Sequence, residues 1–397
     1  MTASLLQLQA KGELDTYLTG NPTISYYKYA SHRHTNFSMQ TNELLFNNHV
    51  TWGKKIECVV SNKGDLLSHM YIQIRLPALK SPNKNQNASW VTNLGYAMIK
   101  DVEIEIGGQR MDIHTGEFLY AYDQLCAPSG KKQGLNYIIG NTIENDEERI
   151  LYVPLHFWFN DHHSLALPMV ALNMHEVVIK VNLRSFHEVT NGTTHEVPLK
   201  GMSIIADYIL LDVAERNSLT NKKLEFLVQQ VQSNLESSST KTKYSVDLVL
   251  RNNVKEIIWM VESSMSNTNN ENTNTYFRYI DHKNLDPIKK VTLQLNGNDK
   301  FTDLSGEYFN LVQPYQHHSN IPDNPGIHLY SFSLSPESFH PSGSLNFSMI
   351  DNSTLIIELQ DDYFQKQDKK MSALTKVYAI SYNILVIEDG TCTMMYY

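Results

Sequence analysis

Apolar residues recur at every second position through most of the patterned stretches of this chain. Met70, Ile72, Ile74 and Leu76 would share one face, with Tyr71, Gln73 and Arg75 on the other. Val102, Ile104 and Ile106 oppose Glu103 and Glu105, and Val291, Leu293 and Leu295 oppose Thr292 and Gln294. Successive strand side chains point to opposite faces, so this period predicts antiparallel strands packed on one side and wet on the other. Helical periods are few and short. Glu117 to Cys126 places Phe118, Tyr122 and Leu125 on one face behind a Thr115 cap. A partner helix after Ser305 is expected to end at Pro314.

The pattern occurs twice. A strand from Ile99 to Ile106 leads to Gly108 and then to Gly116-Glu117-Phe118; a strand from Ile288 to Leu295 leads to Gly297 and then to Gly306-Glu307-Tyr308. The offset is 189 residues at the start and 190 at the second glycine, a one-residue insertion. Lys55–Val60 followed by Met70–Leu76 has its counterpart in Tyr244–Leu250 followed by Glu256–Val261. Val177–Leu183 pairs with Thr354–Leu359, and Ala206–Leu211 with Ser381–Val386. A repeat this long means a duplicated domain, because solenoid units run to roughly 20–50 residues.

Strands with few helices predict an all-β chain, a sandwich or barrel in each half. Long polar connections such as Lys80–Asn93 and Ala127–Glu148 suit a jelly roll better than tight up-and-down hairpins. The reading is therefore two tandem antiparallel jelly-roll sandwiches with short loop helices. Residues 1–25 form an N-terminal arm without a counterpart, 26–213 the first jelly roll, 214–223 a polar linker and 224–397 the second jelly roll. From Leu224 onward both a helix period (Leu224, Leu227, Val228, Val231) and a strand period (Leu224, Phe226, Val228) are present; the duplication selects a strand.

Composition narrows the function. The 33 Lys and Arg against 42 Asp and Glu leave a net charge of −9, which argues against coating nucleic acid. The odd, scattered Cys58, Cys126 and Cys392 suit a reducing compartment, with Cys58 as a buried free thiol. Met1 to Ala10 lacks the features of a signal peptide, and Asp207 and Asp212 interrupt the best candidate membrane stretch, so synthesis and folding in the cytosol are expected.

Candidate chemistry is sparse. Asp161-His162-His163 and His317-His318 are the densest histidine groups. Adjacent strand side chains diverge, and zinc wants a closed ligand set, so these are read as exposed loop histidines. His156 and His175 are read as interface or satisfied core residues. Gly107-Gly108 lacks the lysine of a phosphate loop and is read as a hairpin turn. Asp361-Asp362 and Asp146-Glu147-Glu148 have no EF-hand spacing. There is no Gly-x-Ser-x-Gly elbow. No catalytic, cofactor or metal residue is therefore assigned. Asn87 and Asn191, in polar loops, are the candidate glycosylation acceptors; Asn36, Asn346 and Asn352 lie in or beside strands and are set aside. Tyr26-Tyr27-Lys28-Tyr29 and Phe157-Trp158-Phe159 read as core and interface anchors.

Several segments, in order, resemble one family. They are Tyr17-Leu18-Thr19-Gly20-Asn21-Pro22, Arg33-His34-Thr35-Asn36-Phe37, Gly53-Lys54-Lys55 and Gly64-Asp65-Leu66. Leu151 to Phe159, Leu165-Ala166-Leu167-Pro168, His175-Glu176-Val177 and Pro341 to Ser348 continue the series. The chain resembles the major capsid proteins of nucleocytoplasmic large double-stranded DNA viruses from about residue 14 onward. That resemblance implies a double jelly roll whose homotrimers are pseudo-hexagonal capsomers tiling an icosahedral shell. It also implies neighbouring capsomers, minor capsid and penton proteins, and an inner membrane layer as partners. The chain is short for the family, which implies modest outer loops, and Asn217 stands where an arginine often follows Glu215-Arg216. Two other classes fit the strand pattern: a tandem β-sandwich glycan-binding or host-attachment module, and a bicupin enzyme. The bicupin would need a His/Glu set in each half, and neither repeat carries one.

Overall fold

A computed structural model describes residues 3–28, 32–79, 88–141, 147–192, 195–220, 222–234, 237–263, 276–281, 283–361, 363–364 and 372–396. The chain forms two units, Met1–Asn36 and Phe37–Tyr397. The first carries helices Ala3–Gln9 and Glu13–Thr19, neither burying a residue. Leu5, Leu8, Tyr17, Leu18 and Tyr26 are exposed, and Tyr27 is 100% exposed. The expectation that the Tyr26–Tyr29 cluster anchors a core fails for Tyr26 and Tyr27, because the described residues of their own unit include no strand to cover them. Tyr29 lies outside the described residues.

In the second unit one sandwich takes β1 (Phe37–Leu45), β2 (Lys55–Val59), β3 (Leu66–Leu76), β4 (Ile99–Ile106), β5 (Gln109–Thr115), β6 (Arg149–Pro154), β7 (Val177–Leu183) and β8 (Gly201–Leu211). Their sheets run β1-β8-β3-β6 and β2-β7-β4-β5. The other takes β9 (Leu224–Ser233), β10 (Lys243–Asp247), β11 (Asn253–Ser263), β12 (Ile288–Leu295), β13 (Asn298–Ser305), β14 (Ile327–Ser331), β15 (Ser353–Leu359) and β16 (Ala373–Glu388). Its sheets run β9-β16-β11-β14, with three short strands added, and β10-β15-β12-β13. Each order becomes the other when eight is added to the label. All these pairs are antiparallel, and the crossings between two sheets are those of a jelly roll. Leu224–Ser233 is thus a strand, as the duplication required.

Details are duplicated too. The register shifts between Ile99 and Asp101 in β4, and between Ile288 and Lys290 in β12. The turns after these strands use Gly107-Gly108 and Asn296-Gly297, all four at positive φ. That is the geometry a two-residue hairpin of matching twist demands. Gly116 and Gly306 share a different reason. A Cβ at Gly116 would overlap the carbonyl oxygen of Ile99, and one at Gly306 that of Ile288, the first residues of β4 and β12. Gly116→Ala and Gly306→Ala are each expected to cost about 2 kcal/mol by overpacking, measured as a lowered denaturation midpoint with unchanged slope.

The helix Gly116–Cys126 forms as expected, with the Thr115 hydroxyl accepting the Phe118 N–H at 3.2 Å. Its counterpart does not stop at Pro314. A π-helical turn, Tyr308–Val312, leads into a helix at Gln313–His317. Proline lacks an N–H and its ring crowds the carbonyl four residues back; the wide π turn and a place in the first helical turn relieve both. The polar connector is also ordered, as the helix Val213–Thr220 with no buried residue.

One hydrophobic cluster fills the first sandwich, including Ile72, Ile74, Val102, Ile104, Phe157 and Phe159, and continues into Ile258, Met260, Tyr378 and Ile380. Ile257, Trp259, Val291, Leu293 and Ile357 belong to the second sandwich's own core. Alternate residues of β11 therefore enter different cores. The one-sided wetting expected of the strands does not hold there, since β11 is buried from Val254 to Glu262.

Candidate assembly surfaces

The outward face of the sheet β9-β16-β11-β14 lies on a flank of the first sandwich made by β5 and the helix Gly116–Cys126. Thr115 Oγ1 and Tyr378 Oη are 2.7 Å apart, and the Phe118 and Tyr378 rings meet at 5.5 Å. Gln230 donates from Nε2 to the Met111 carbonyl at 2.5 Å, and the Val231 N–H donates to Asp112 at 3.1 Å. Tyr120 stacks on Phe277 at 4.4 Å. This seam is ring-rich and joined by several hydrogen bonds, in the manner of a permanent interface, although the buried Tyr279 hydroxyl beside it makes none.

A charge cluster sits within it. Glu117 meets Arg184 at 2.5 Å and Lys376 at 3.3 Å, and Lys376 meets Glu262 at 3.1 Å. Arg184 also donates to the carbonyls of Ala97 and Ile99 and lies over the Tyr276 ring. Burial works to raise the Glu117 carboxyl, but Lys376 and Arg184 outweigh it and hold it below the usual glutamate value. Glu117 comes from the first sandwich, and Glu262 and Lys376 come from the second.

The same two surfaces recur, open, with the sandwiches exchanged. On the first sandwich, the outward face of β1-β8-β3-β6 exposes Phe37, Met39, Leu45 and Ile150. On the second, β13 and the helical turns after it expose Leu311, Val312 and Tyr315, the last at 78%. Glu307, the counterpart of Glu117, is exposed there. Singly exposed apolar residues are ordinary; here several lie together where the other sandwich has a packed seam, interspersed on the β1 face with Thr41 and the Arg75–Glu43 pair.

The histidines divide. His162 and His163 are exposed, as expected, with His162 stacked on Phe339 at 4.4 Å. His156 Nε2 is within ion-pair distance of Asp123, at 2.9 Å, without a well-aligned hydrogen bond, and His175 Nδ1 accepts the Cys392 N–H at 3.1 Å. His318 departs from expectation. Its side chain is 1% exposed, held between Glu256 at 2.8 Å and Glu337 at 3.0 Å. Those partners are distant in sequence, so neighbouring residues gave no hint of its burial. Cys58 is a buried free thiol, pushed up to about 11 by burial. Asp361 pairs with Lys289 and Glu148 with Lys200; Asp146 and Asp362 lie outside the described residues. Asn191 is half-buried in the short strand Thr190–Asn191 rather than in a loop, because that strand pairs with Ser89–Trp90. Asn87 lies outside the described residues.

Comparison with known proteins agrees with this architecture. Residues 25–231 match the family described as major capsid protein N-terminus, and residues 215–393 the large eukaryotic DNA virus major capsid protein family. The major capsid protein of Pyramimonas orientalis virus is 34% identical, with 100% of both chains covered. That of Paramecium bursaria Chlorella virus 1 is 29% identical, also over 100% of both. A quasi-atomic structure of the PBCV-1 virus capsid superposes with a TM-score of 0.81 at 26% identity, covering 94% of this chain and 100% of that one. The chain belongs to the large eukaryotic DNA virus major capsid protein family, and its work in the virion shell is structural rather than enzymatic.

Proposed function

We propose that three copies close head to tail into a ring of six sandwiches, a pseudo-hexagonal capsomer that tiles an icosahedral shell. The observation that carries this is the seam within one chain. There the second sandwich sets a sheet face on the first sandwich's strand-and-helix flank, and the equivalent face and flank are open. Repeating the contact between chains sets the face with Phe37, Met39 and Leu45 on a neighbour's flank with Leu311, Val312 and Tyr315. A contact between unlike surfaces either closes a ring or grows a filament. Two similar tiles per chain let a threefold ring present six sides.

In this reading residues 1–25 are an arm, 26–213 and 224–397 are the tiles, and 214–223 is the linker. The arm's exposed Leu5, Leu8, Leu14 and Leu18 offer apolar anchorage to neighbouring capsomers, minor capsid or penton proteins, or an inner membrane layer. With a net charge of −9, nucleic acid is not among its partners. Synthesis takes place in the host cytoplasm, and Asn191 and Asn87 stay candidate acceptors for glycans. Sedimentation velocity of the purified chain at micromolar concentration tests the ring. A species of three times the 45.5 kDa chain mass is expected, and a stable monomer would overturn it.

A further inference from the structure

The cluster around His318 plays no part in the proposed ring. Cys126, the last residue of the helix Gly116–Cys126, points its Sγ at His318 Nδ1 from 3.6 Å. Glu337 Oε1 lies 3.0 Å from the same nitrogen. One ligand atom from each of the three residues lies within 4.8 Å of the others. We propose that Cys126, His318 and Glu337 bind one zinc-class divalent cation, which clips the first sandwich to the second.

Three features carry the proposal. The first is spacing. Tetrahedral zinc with bonds of about 2.0–2.3 Å separates its ligand atoms by about 3.3–3.7 Å. The sulfur–nitrogen gap fits that range as it stands, and the nitrogen–oxygen gap needs to open by a few tenths of an ångström. The second is the partner on the far side of the imidazole. His318 Nε2 is 2.8 Å from Glu256 Oε2, and both side chains are 1% exposed. Metal-binding histidines donate their other N–H to a carboxylate in this way, which fixes the ring and raises its basicity. The Glu337 carboxylate is oriented likewise, accepting the Ser319 N–H at 2.8 Å and the Ser319 hydroxyl.

The third feature is access. Cys126 and Glu337 line a cavity of about 790 Å³, which supplies an entry path and room for water as a fourth ligand. On binding, the cation displaces the thiol proton of Cys126 to solvent. The carboxyl end of the helix Gly116–Cys126 favours a cation as well.

The test uses the full chain, stripped with a chelator and dialysed, then titrated with Zn²⁺ and separately with Co²⁺. One ion per chain is expected, with a thiolate-to-cobalt charge-transfer band in the near ultraviolet. Cys126→Ser should abolish the band, and Glu256→Gln should weaken binding by about 10–100-fold. Sub-stoichiometric zinc, no band, or Cys126→Ser binding as tightly as the parent would overturn the proposal. Should Cys126→Ser fail to fold, Glu337→Gln decides, its carboxylate being 27% exposed and tolerant of change. Tenfold or greater weakening supports the site, and unchanged affinity overturns it.

Discussion

Glu117→Ala is expected to destabilise the protein by about 3 kcal/mol, because it leaves cations in the seam with too little negative charge. The value sits at the low end of the range for a broken buried pair. Lys376 keeps Glu262, and Arg184 keeps two backbone carbonyls and the Tyr276 ring. The same residue sets an acid limb. Its folded value lies below the ordinary 4.5, so its contribution is complete above the unfolded value and fades as pH falls through the folded one. Denaturant midpoints measured from about pH 6 to pH 3, at fixed protein concentration, should fall more steeply for the parent than for Glu117→Ala. Parallel curves would remove Glu117 from the account. Glu307→Ala, at the exposed counterpart, should leave the stability of the isolated chain within about 0.5 kcal/mol.

Tyr315→Asp combined with Leu311→Asp is expected to dissociate the ring without unfolding the chain. Both residues are exposed in the single chain, so the sandwiches lose little by the change. In the ring each new carboxylate would be buried against the β1 face of Phe37, Met39 and Leu45, where the nearest cation, Arg75, is already paired with Glu43. A cost of about 3–5 kcal/mol per seam corresponds to a weakening of about 150-fold or more at each of three seams. Met39→Asp on the opposing face should do the same. Sedimentation coefficients should fall to the monomer value while circular dichroism and the denaturation midpoint of the chain are kept. Trimers that survive both sets of changes would place the contact elsewhere.

Much of this fold is legible from side-chain period and repetition. Ile72 and Ile74 show their faces through alternation, the Gly107-Gly108 turn shows its φ requirement, and Thr115 announces a helix. The paired glycines at 116 and 306 are visible as a repeat, but their reason, a strand's first carbonyl beneath them, appears only in three dimensions. What escapes sequence reading depends on contacts between distant segments. β11 alternates between two cores, so its apolar run cannot reveal which side is the seam. His318 looks like a loop histidine until Cys126, Glu256 and Glu337 arrive from other parts of the chain. Pro314 reads as a stop because a π turn leaves no mark in the apolar period. The open surfaces, finally, are recognisable only by superposing one sandwich on the other and asking what the covered copy touches.

Electron cryo-microscopy of the assembled capsomer tests the central claim most directly. Two neighbouring chains should show the face of Phe37, Met39 and Leu45 seated on the flank of Leu311, Val312 and Tyr315. That pair of sandwiches should superpose on the pair within one chain. A capsomer in which the β1 face meets solvent, or meets the same face of another copy, would contradict the account.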